Sequence, residues 1–115
     1  MPCIQVKTNV TVDAESADRI KSEMGRTIAL LPGKSEEWLM VVVQDGLQMY
    51  FGGESGRPMA VVEVNIWGTG IDEAAADEMT KEVTATVHDI LGVAPDDMYI
   101  KYEASPDWGW NGANL

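Results

Sequence analysis

The stretch MPCIQVKTN, residues 1–9, alternates apolar and polar side chains, as a half-buried β-strand does. A strand that starts at the second residue anchors the beginning of the chain in a sheet. Initiator methionine is usually removed when the next residue is small, so we expect a mature chain that begins with Pro2. Its nitrogen is then a secondary amine held in place by the sheet. If Met1 is retained, that nitrogen is an amide and cannot act as a base. An ordinary, inert terminus is the alternative interpretation.

A helix and a second strand are predicted to follow. Apolar residues at spacings of three and four predict a helix from about Asp13, its N-cap, to Leu31, where a Pro-Gly pair ends it. The run WLMVVV, residues 38–43, is nearly continuous in apolar side chains and predicts a strand buried on both faces. Residues 48–51 are predicted to form a short additional strand before a glycine-rich loop.

The second half of the chain repeats this order about sixty residues later. Residues 58–67 predict a strand, Asp72 caps a helix that Gly92 ends, and residues 98–102 predict the last strand. Two pseudo-symmetric β-α-β units then form one α+β domain, residues 1–115, with a four-stranded mixed sheet and two helices on one face. The strands look too apolar to leave the other face in water, so we expect copies of the chain to cover it in a closed oligomer.

Composition argues against several classes of function. The net charge of -11 repels phosphate backbones and anionic membranes, so no nucleic-acid or membrane partner is expected. The absence of a visible signal peptide predicts a cytoplasmic protein, with export without a signal peptide as the alternative. One cysteine, Cys3, and one histidine, His88, are too few for a disulfide or a typical metal site, so no cofactor or metal is expected.

A series of short motifs runs through nearly the whole chain. They are Met1-Pro2 leading into a strand, Thr8-Asn9-Val10, Gly33-Lys34, Phe51-Gly52-Gly53 with Ser55 and Pro58, Trp67-Gly68, Tyr99-Ile100, and Gly109-Trp110-Asn111-Gly112. In this order they resemble the macrophage migration inhibitory factor and D-dopachrome tautomerase family. The resemblance implies a homotrimer whose sheets surround a central channel, with active sites at subunit interfaces. It also implies cofactor-free keto–enol tautomerisation of phenylpyruvate-like α-keto acids and isomerisation of dopachrome-like compounds.

The resemblance further implies roles for single residues. The family's catalytic terminal proline matches Pro2, and its substrate-binding lysine matches Lys34. The residue whose backbone N–H binds substrate matches Trp67, or Ile66 if the gap near Arg57 is placed differently. The tyrosine that the neighbouring subunit supplies matches Tyr99, and Lys101 stands where the inhibitory-factor type has asparagine.

These residue types suit the chemistry of enolisation, which needs a base that is unprotonated near neutrality. A free α-amino group titrates near ~8, and burial or a nearby cation lowers its pKa. Lys34 can supply the cation and also bind a substrate carboxylate, while Trp38, Trp67 and Trp110 can form aromatic walls. Packing at a subunit interface is the alternative role for the tryptophans.

Lys101 follows Tyr99 by two residues on one predicted strand, so both side chains leave the same face of the sheet. If Tyr99 enters the pocket, Lys101 is expected there too, where it would favour substrates with a second acidic group. The alternative is a surface lysine with its charge in solvent. The leading hypothesis is therefore a tautomerase. The alternatives are a cytokine-like ligand of an unknown receptor with an incidental pocket, and a related cis–trans isomerase or hydratase.

Overall fold

A four-stranded sheet and two helices account for most of the computed structural model, which describes residues 1–115. The chain order is β1 (Pro2–Thr8), α1 (Ala14–Thr27), β2 (Met40–Gln44), β3 (Ala60–Trp67), α2 (Glu73–Leu91) and β4 (Met98–Ser105), followed by a hairpin of β5 (Gly109–Trp110) and β6 (Ala113–Asn114). The sheet order is β2-β1-β3-β4. Strands β1 and β2 run parallel, as do β3 and β4, and β1 joins the two halves by antiparallel pairing with β3. This confirms the predicted mixed sheet.

One core lies between the sheet and the helices. Alternate residues of β1 and β3 are buried against both helices in a single cluster, which places both helices on one face as predicted. Its fully buried members include Ile4, Val6, Val62, Val64, Ile20, Met24, Ile28, Met79, Val83 and Val87. Neither helix is both long enough and apolar enough to cross a membrane.

Both helices begin at the predicted caps. The Asp13 carboxylate accepts the Ser16 N–H at 2.7 Å, and Asp72 accepts the Ala75 N–H at 2.9 Å. Helix α2 ends at Gly92, which adopts the left-handed conformation with φ 70°. Helix α1 ends at Thr27, earlier than predicted, and continues as a 3₁₀ turn. The proline that follows Leu31 disfavours the α conformation of the residue before it, which explains the tightened end.

The prediction for residues 38–43 is wrong in two respects. Trp38 belongs to a 3₁₀ turn, Glu36–Trp38, and β2 starts only at Met40. Strand β2 is also an edge strand with exposed ends, so it is not buried on both faces in the single chain. The predicted strand at residues 48–51 is absent as well, apart from one isolated bridge between Phe51 and Glu54.

The face of the sheet away from the helices, called here the open face, is more polar than expected. Its positions on the three strands β1, β3 and β4 are Cys3, Gln5, Lys7, Val61, Glu63, Asn65, Trp67, Tyr99, Lys101, Glu103 and Ser105. Lys7 and Glu63 form an ion pair across two strands at 3.5 Å. This face is therefore mixed: most apolar positions of these strands face the helices, but Met40, Trp67 and Tyr99 are large exposed apolar side chains on it.

Candidate active site

The start of the chain is tied into the sheet. Pro2 is buried and lies opposite Ile66 in the antiparallel pairing of β1 with β3. One residue earlier, the carbonyl oxygen of Met1 accepts the backbone N–H of Trp67 at 2.9 Å. Burial, and secondly the positive charge of Lys34, lower the pKa of the Met1 α-amino group. An amine at this end of the sheet is therefore biased toward its neutral form.

An apolar groove of about 740 Å³ opens beside Pro2. Eight of its 11 lining residues are hydrophobic. The complete set is Met1, Pro2, Cys3, Glu37, Trp38, Leu39, Met40, Val41, Trp108, Gly109 and Trp110. The rings of Trp38 and Trp110 meet edge to face, with centroids 5.4 Å apart and an interplanar angle of 82°. The groove has the size and the aromatic lining that suit a small aryl ligand.

A second, smaller depression of about 270 Å³ contains Lys34 and Trp67. The Lys34 ammonium donates to the carbonyl oxygen of Trp67 at 2.9 Å, and the Trp67 indole N–H donates to the Pro106 carbonyl at 3.3 Å. Lys34 does not line the larger groove, yet its charge acts on the Met1 amino group that does. The two depressions therefore adjoin at the start of the chain.

The geometry distinguishes Trp67 from Ile66. The N–H of Trp67 points to the Met1 carbonyl, whereas the side chain of Ile66 is 6% exposed and belongs to the core. Among the predicted site residues, the chain thus brings Pro2, Trp38 and Trp110 together in one groove and places Lys34 with Trp67 next to it.

Tyr99 and Lys101 lie elsewhere in the chain. Pairing places Pro2 beside Ile66 and Ile66 beside Ala104, so Tyr99 is five residues, about 16 Å, further along β4. Both side chains leave the open face, as predicted, and both are exposed. The ring of Tyr99 lies against that of Phe51, with ring centroids 5.2 Å apart. The Lys101 ammonium lies 3.7 Å from the carboxylate of Glu103 and not in the groove. Within one chain Lys101 lies outside the groove, and its entry into a pocket together with Tyr99 of a neighbouring subunit stays a prediction.

Two parts of the groove were not anticipated. Glu37 lines it from the 3₁₀ turn between Lys34 and Trp38, and no periodicity marks the direction of a turn side chain. The β5–β6 hairpin carries Trp110 to its position. Asn111 and Gly112 form its turn with φ 52° and 80°, so the Asn-Gly pair was a hairpin signal in the sequence. No cluster of three His, Cys, Asp or Glu side chains could hold a metal ion.

Comparison with known proteins places this fold and site in a family. The sequence model described as macrophage migration inhibitory factor matches residues 1–115, so the chain belongs to that family. The chain also resembles solved structures along its length. MIF2 of Leishmania major is 27% identical, with a TM-score of 0.91, over 100% of this chain and 97% of that chain.

Two further structures show the same likeness. The macrophage migration inhibitory factor homologue of Prochlorococcus marinus is 28% identical, with a TM-score of 0.79, over 96% of each chain. The factor from Trichinella spiralis is 22% identical, with a TM-score of 0.81, over 98% of this chain and 99% of that chain, a likeness of fold alone. A comparison with curated proteins gave no match. Family and fold together support a tautomerase-type function in general terms.

Proposed function

We propose that the protein is a cofactor-independent keto–enol tautomerase. Its substrates are phenylpyruvate-like α-keto acids and dopachrome-like compounds, and Pro2 is the general base once Met1 has been removed. The observation that carries the proposal is the hydrogen bond from the Trp67 N–H to the Met1 carbonyl, next to Lys34 and at the mouth of an aromatic groove. Removing Met1 creates the base and also frees this backbone donor.

The surroundings of Pro2 favour a neutral amine. Burial and the charge of Lys34 lower the pKa of an amino group at Met1, and Pro2 is more buried than Met1. Both effects penalise the protonated form, so the pKa of a terminal Pro2 is expected to lie below the value of ~8 for a free α-amino group. A base with a pKa near the working pH transfers protons efficiently.

Binding of the acid end of the substrate is assigned to Lys34 and Trp67. An ammonium and a backbone N–H are both donors to a carboxylate, and charge-assisted hydrogen bonds are the stronger kind. The aryl ring then extends into the groove between Trp38 and Trp110. In this pose the carbon next to the carbonyl faces the nitrogen of Pro2.

The reaction balances without a cofactor. Pro2 nitrogen takes a proton from the carbon next to the carbonyl, and the electron pair of the broken C–H bond forms the C=C bond of the enolate. The negative charge moves to the former carbonyl oxygen, where nearby donors stabilise it. Protonation of that oxygen gives the enol, and the proton on Pro2 returns to solvent.

The assembly is part of the proposal. Proteins of this family are typically oligomers, and we assign this chain to a homotrimer. The distance of Tyr99 from Pro2 in one chain is what a residue supplied by a neighbouring subunit requires. The two depressions at the Pro2 end of β1 would then be completed by the Tyr99 end of a neighbouring subunit's sheet.

The test is the enolisation of phenylpyruvate, followed by absorbance, with native protein and with Pro2→Gly. Intact mass first establishes that Met1 is absent from each sample. We expect kcat/KM to fall about 100-fold or more in Pro2→Gly, the usual contribution of a placed general base. The control is Asp18→Asn, an exposed site on α1, which covers the other face of the sheet, and its rate should be unchanged. Equal rates for native protein and Pro2→Gly would remove Pro2 from the mechanism.

A further inference from the structure

Residues 51–57, called here the Phe51 loop, are attached to the start of β4 at two points. Arg57 donates to the carboxylate of Asp97 at 2.9 Å, in the 3₁₀ turn that leads into the strand. The ring of Phe51 lies against that of Tyr99, with centroids 5.2 Å apart and planes tilted by 36°. The two attachment points are two residues apart in the sequence, so the loop and the start of the strand form one local unit.

The Phe51 loop holds its own aromatic ring in place. Phe51 and Glu54 exchange backbone hydrogen bonds at 2.9 and 3.0 Å around Gly52 and Gly53, both of which have positive φ, as a tight turn requires. The guanidinium of Arg57 lies 6.0 Å from the centroid of the Phe51 ring and is also paired with Glu54 at 3.3 Å. The turn and the cation therefore restrict the directions that the Phe51 ring can take.

Tyr99 is restrained on one side only. Its side chain is 64% exposed on the open face, and Phe51 is its one aromatic partner within the chain. A solvated tyrosine on a strand can exchange between staggered rotamers. Contact with a ring that is itself held favours one of them, and the opposite side of Tyr99 stays free to meet a neighbouring subunit.

We propose that Phe51 is a positioning residue that fixes the orientation of the Tyr99 ring for the active site of a neighbouring subunit. Arg57, anchored on Asp97, supports the Phe51 ring. This inference rests on the proposed function, in which the Tyr99 end of one sheet completes the Pro2 end of another. Phe51 acts through Tyr99 and makes no contact with the substrate.

The test is a double-mutant cycle on phenylpyruvate enolisation with Phe51→Leu, Tyr99→Leu and both changes together. Leucine keeps an apolar side chain at position 51 and removes the ring that Tyr99 packs against. We expect Phe51→Leu to lower kcat/KM about tenfold, because a misplaced contact group costs rate, and to cause no further loss when Tyr99 is already leucine. Phe51→Tyr keeps a ring and should restore most of the rate. The same loss in both backgrounds overturns the positioning role, because Phe51 then acts without Tyr99.

Tyr50→Leu is the matched control. It removes the aromatic ring next to Phe51, which is 69% exposed and takes part in no ring pair within the chain. Its kcat/KM should equal that of native protein. A loss equal to that of Phe51→Leu would mean that the whole segment, and not the Phe51 ring, supports the site.

Two further measurements do not need turnover. The NMR signals of the Tyr99 ring, identified by their disappearance in Tyr99→Leu, should shift in Phe51→Leu; unchanged signals overturn the positioning role. The Kd of cinnamate, an unreactive aryl acid, should rise several-fold in Phe51→Leu and stay unchanged by it when Tyr99 is leucine. Absence of phenylpyruvate turnover by native protein overturns the proposed function instead, and the signals of Tyr99 still decide whether Phe51 orients its ring.

Discussion

The two ends of the sheet differ in what closes them: side-chain hydrogen bonds at the Thr8 end, and an apolar groove at the Pro2 end. At the Thr8 end, side chains close the structure: the Asn9 amide donates to Arg57 and accepts from Met59, each at 2.8 Å, and Arg57 binds Asp97 at 2.9 Å. At the Pro2 end, exposed tryptophans border a groove of about 740 Å³. The contrast indicates that the Thr8 end (the closed end) is held by side-chain hydrogen bonds, whereas the Pro2 end (the open end) leaves an apolar surface available for a ligand.

The largest expected effect comes from blocking the open end. Inserting a leucine between Met1 and Pro2 prevents removal of Met1, because the residue after it is then large. The Pro2 nitrogen is therefore an amide. The insertion also keeps a carbonyl on the Trp67 N–H. We expect loss of phenylpyruvate enolisation by more than about 100-fold, because a general base alone contributes that much.

Pro2→Gly is the informative partner of this insertion. It keeps a terminal amine and frees the Trp67 N–H, so it should retain more activity than the insertion. A greater loss in Pro2→Gly than in the insertion variant would contradict the role of the Trp67 N–H. Intact mass must accompany both measurements, because a mixture of processed and unprocessed chains would blur the order.

The closed end is tested with Thr8→Val. The buried hydroxyl of Thr8 donates to the Met59 carbonyl at 2.7 Å and accepts the Val10 N–H at 3.1 Å. Valine has a similar shape but leaves both groups without this partner, so we expect the free energy of unfolding to fall by about 1–3 kcal/mol. Urea denaturation measures the loss. Thr8→Ser keeps the hydroxyl and should be less destabilised, and neither variant should change phenylpyruvate turnover once folded.

A smaller effect is expected for Lys34→Gln, which separates the two roles of this cation. Burial is the larger cause that lowers the pKa of an amine at the start of the chain, and the charge of Lys34 is the second. The proposed base acts in its neutral form. Activity should therefore rise with pH through a midpoint below ~8 in native protein. Without the cation the pKa of the amine rises, so the midpoint of the kcat/KM profile moves to higher pH.

The KM for phenylpyruvate should also rise in Lys34→Gln, about tenfold, since one charge-assisted contact to the carboxylate is lost. Lys81→Gln is the control, because Lys81 pairs with Asp77 and Glu78 on α2 and does not line the groove. A midpoint that moves to lower pH in Lys34→Gln would show that the charge of Lys34 does not act on the base.

The same contrast explains what the sequence could predict. Periodicity and capping residues identified both helices and the order of elements along the chain, because the helices are stabilised by repeating, local interactions such as the Asp13 and Asp72 caps. The same-face rule placed Tyr99 with Lys101 correctly, but it says nothing of which end of the sheet they occupy. The predicted start of β2 was wrong because an apolar run does not distinguish core residues from residues that line a groove, such as Trp38.

Glu37 shows the remaining limit. Its direction depends on Glu36 packing where Gly25 leaves room on α1, a contact between residues 11 positions apart that no local pattern reports. The family motif supplied Pro2, Lys34 and Trp67, which periodicity alone would not have assigned to chemistry. The sequence thus predicted the strand that carries Pro2, and the role of Pro2 as base stays a prediction, whereas the position of Glu37 in the groove required the fold.

The smallest effect concerns the aromatic wall of the open end. Trp38 and Trp110 are 48% and 50% exposed, so their edge-to-face contact is expected to couple by only about 0.5 kcal/mol, the lower end for such pairs. A double-mutant cycle with Trp38→Leu, Trp110→Leu and both changes, followed by urea denaturation, measures this coupling. Strictly additive losses would mean that the β5–β6 hairpin is held without this contact. Each single variant should still raise the KM for phenylpyruvate several-fold, because both rings line the groove that is proposed to receive the ring of the substrate.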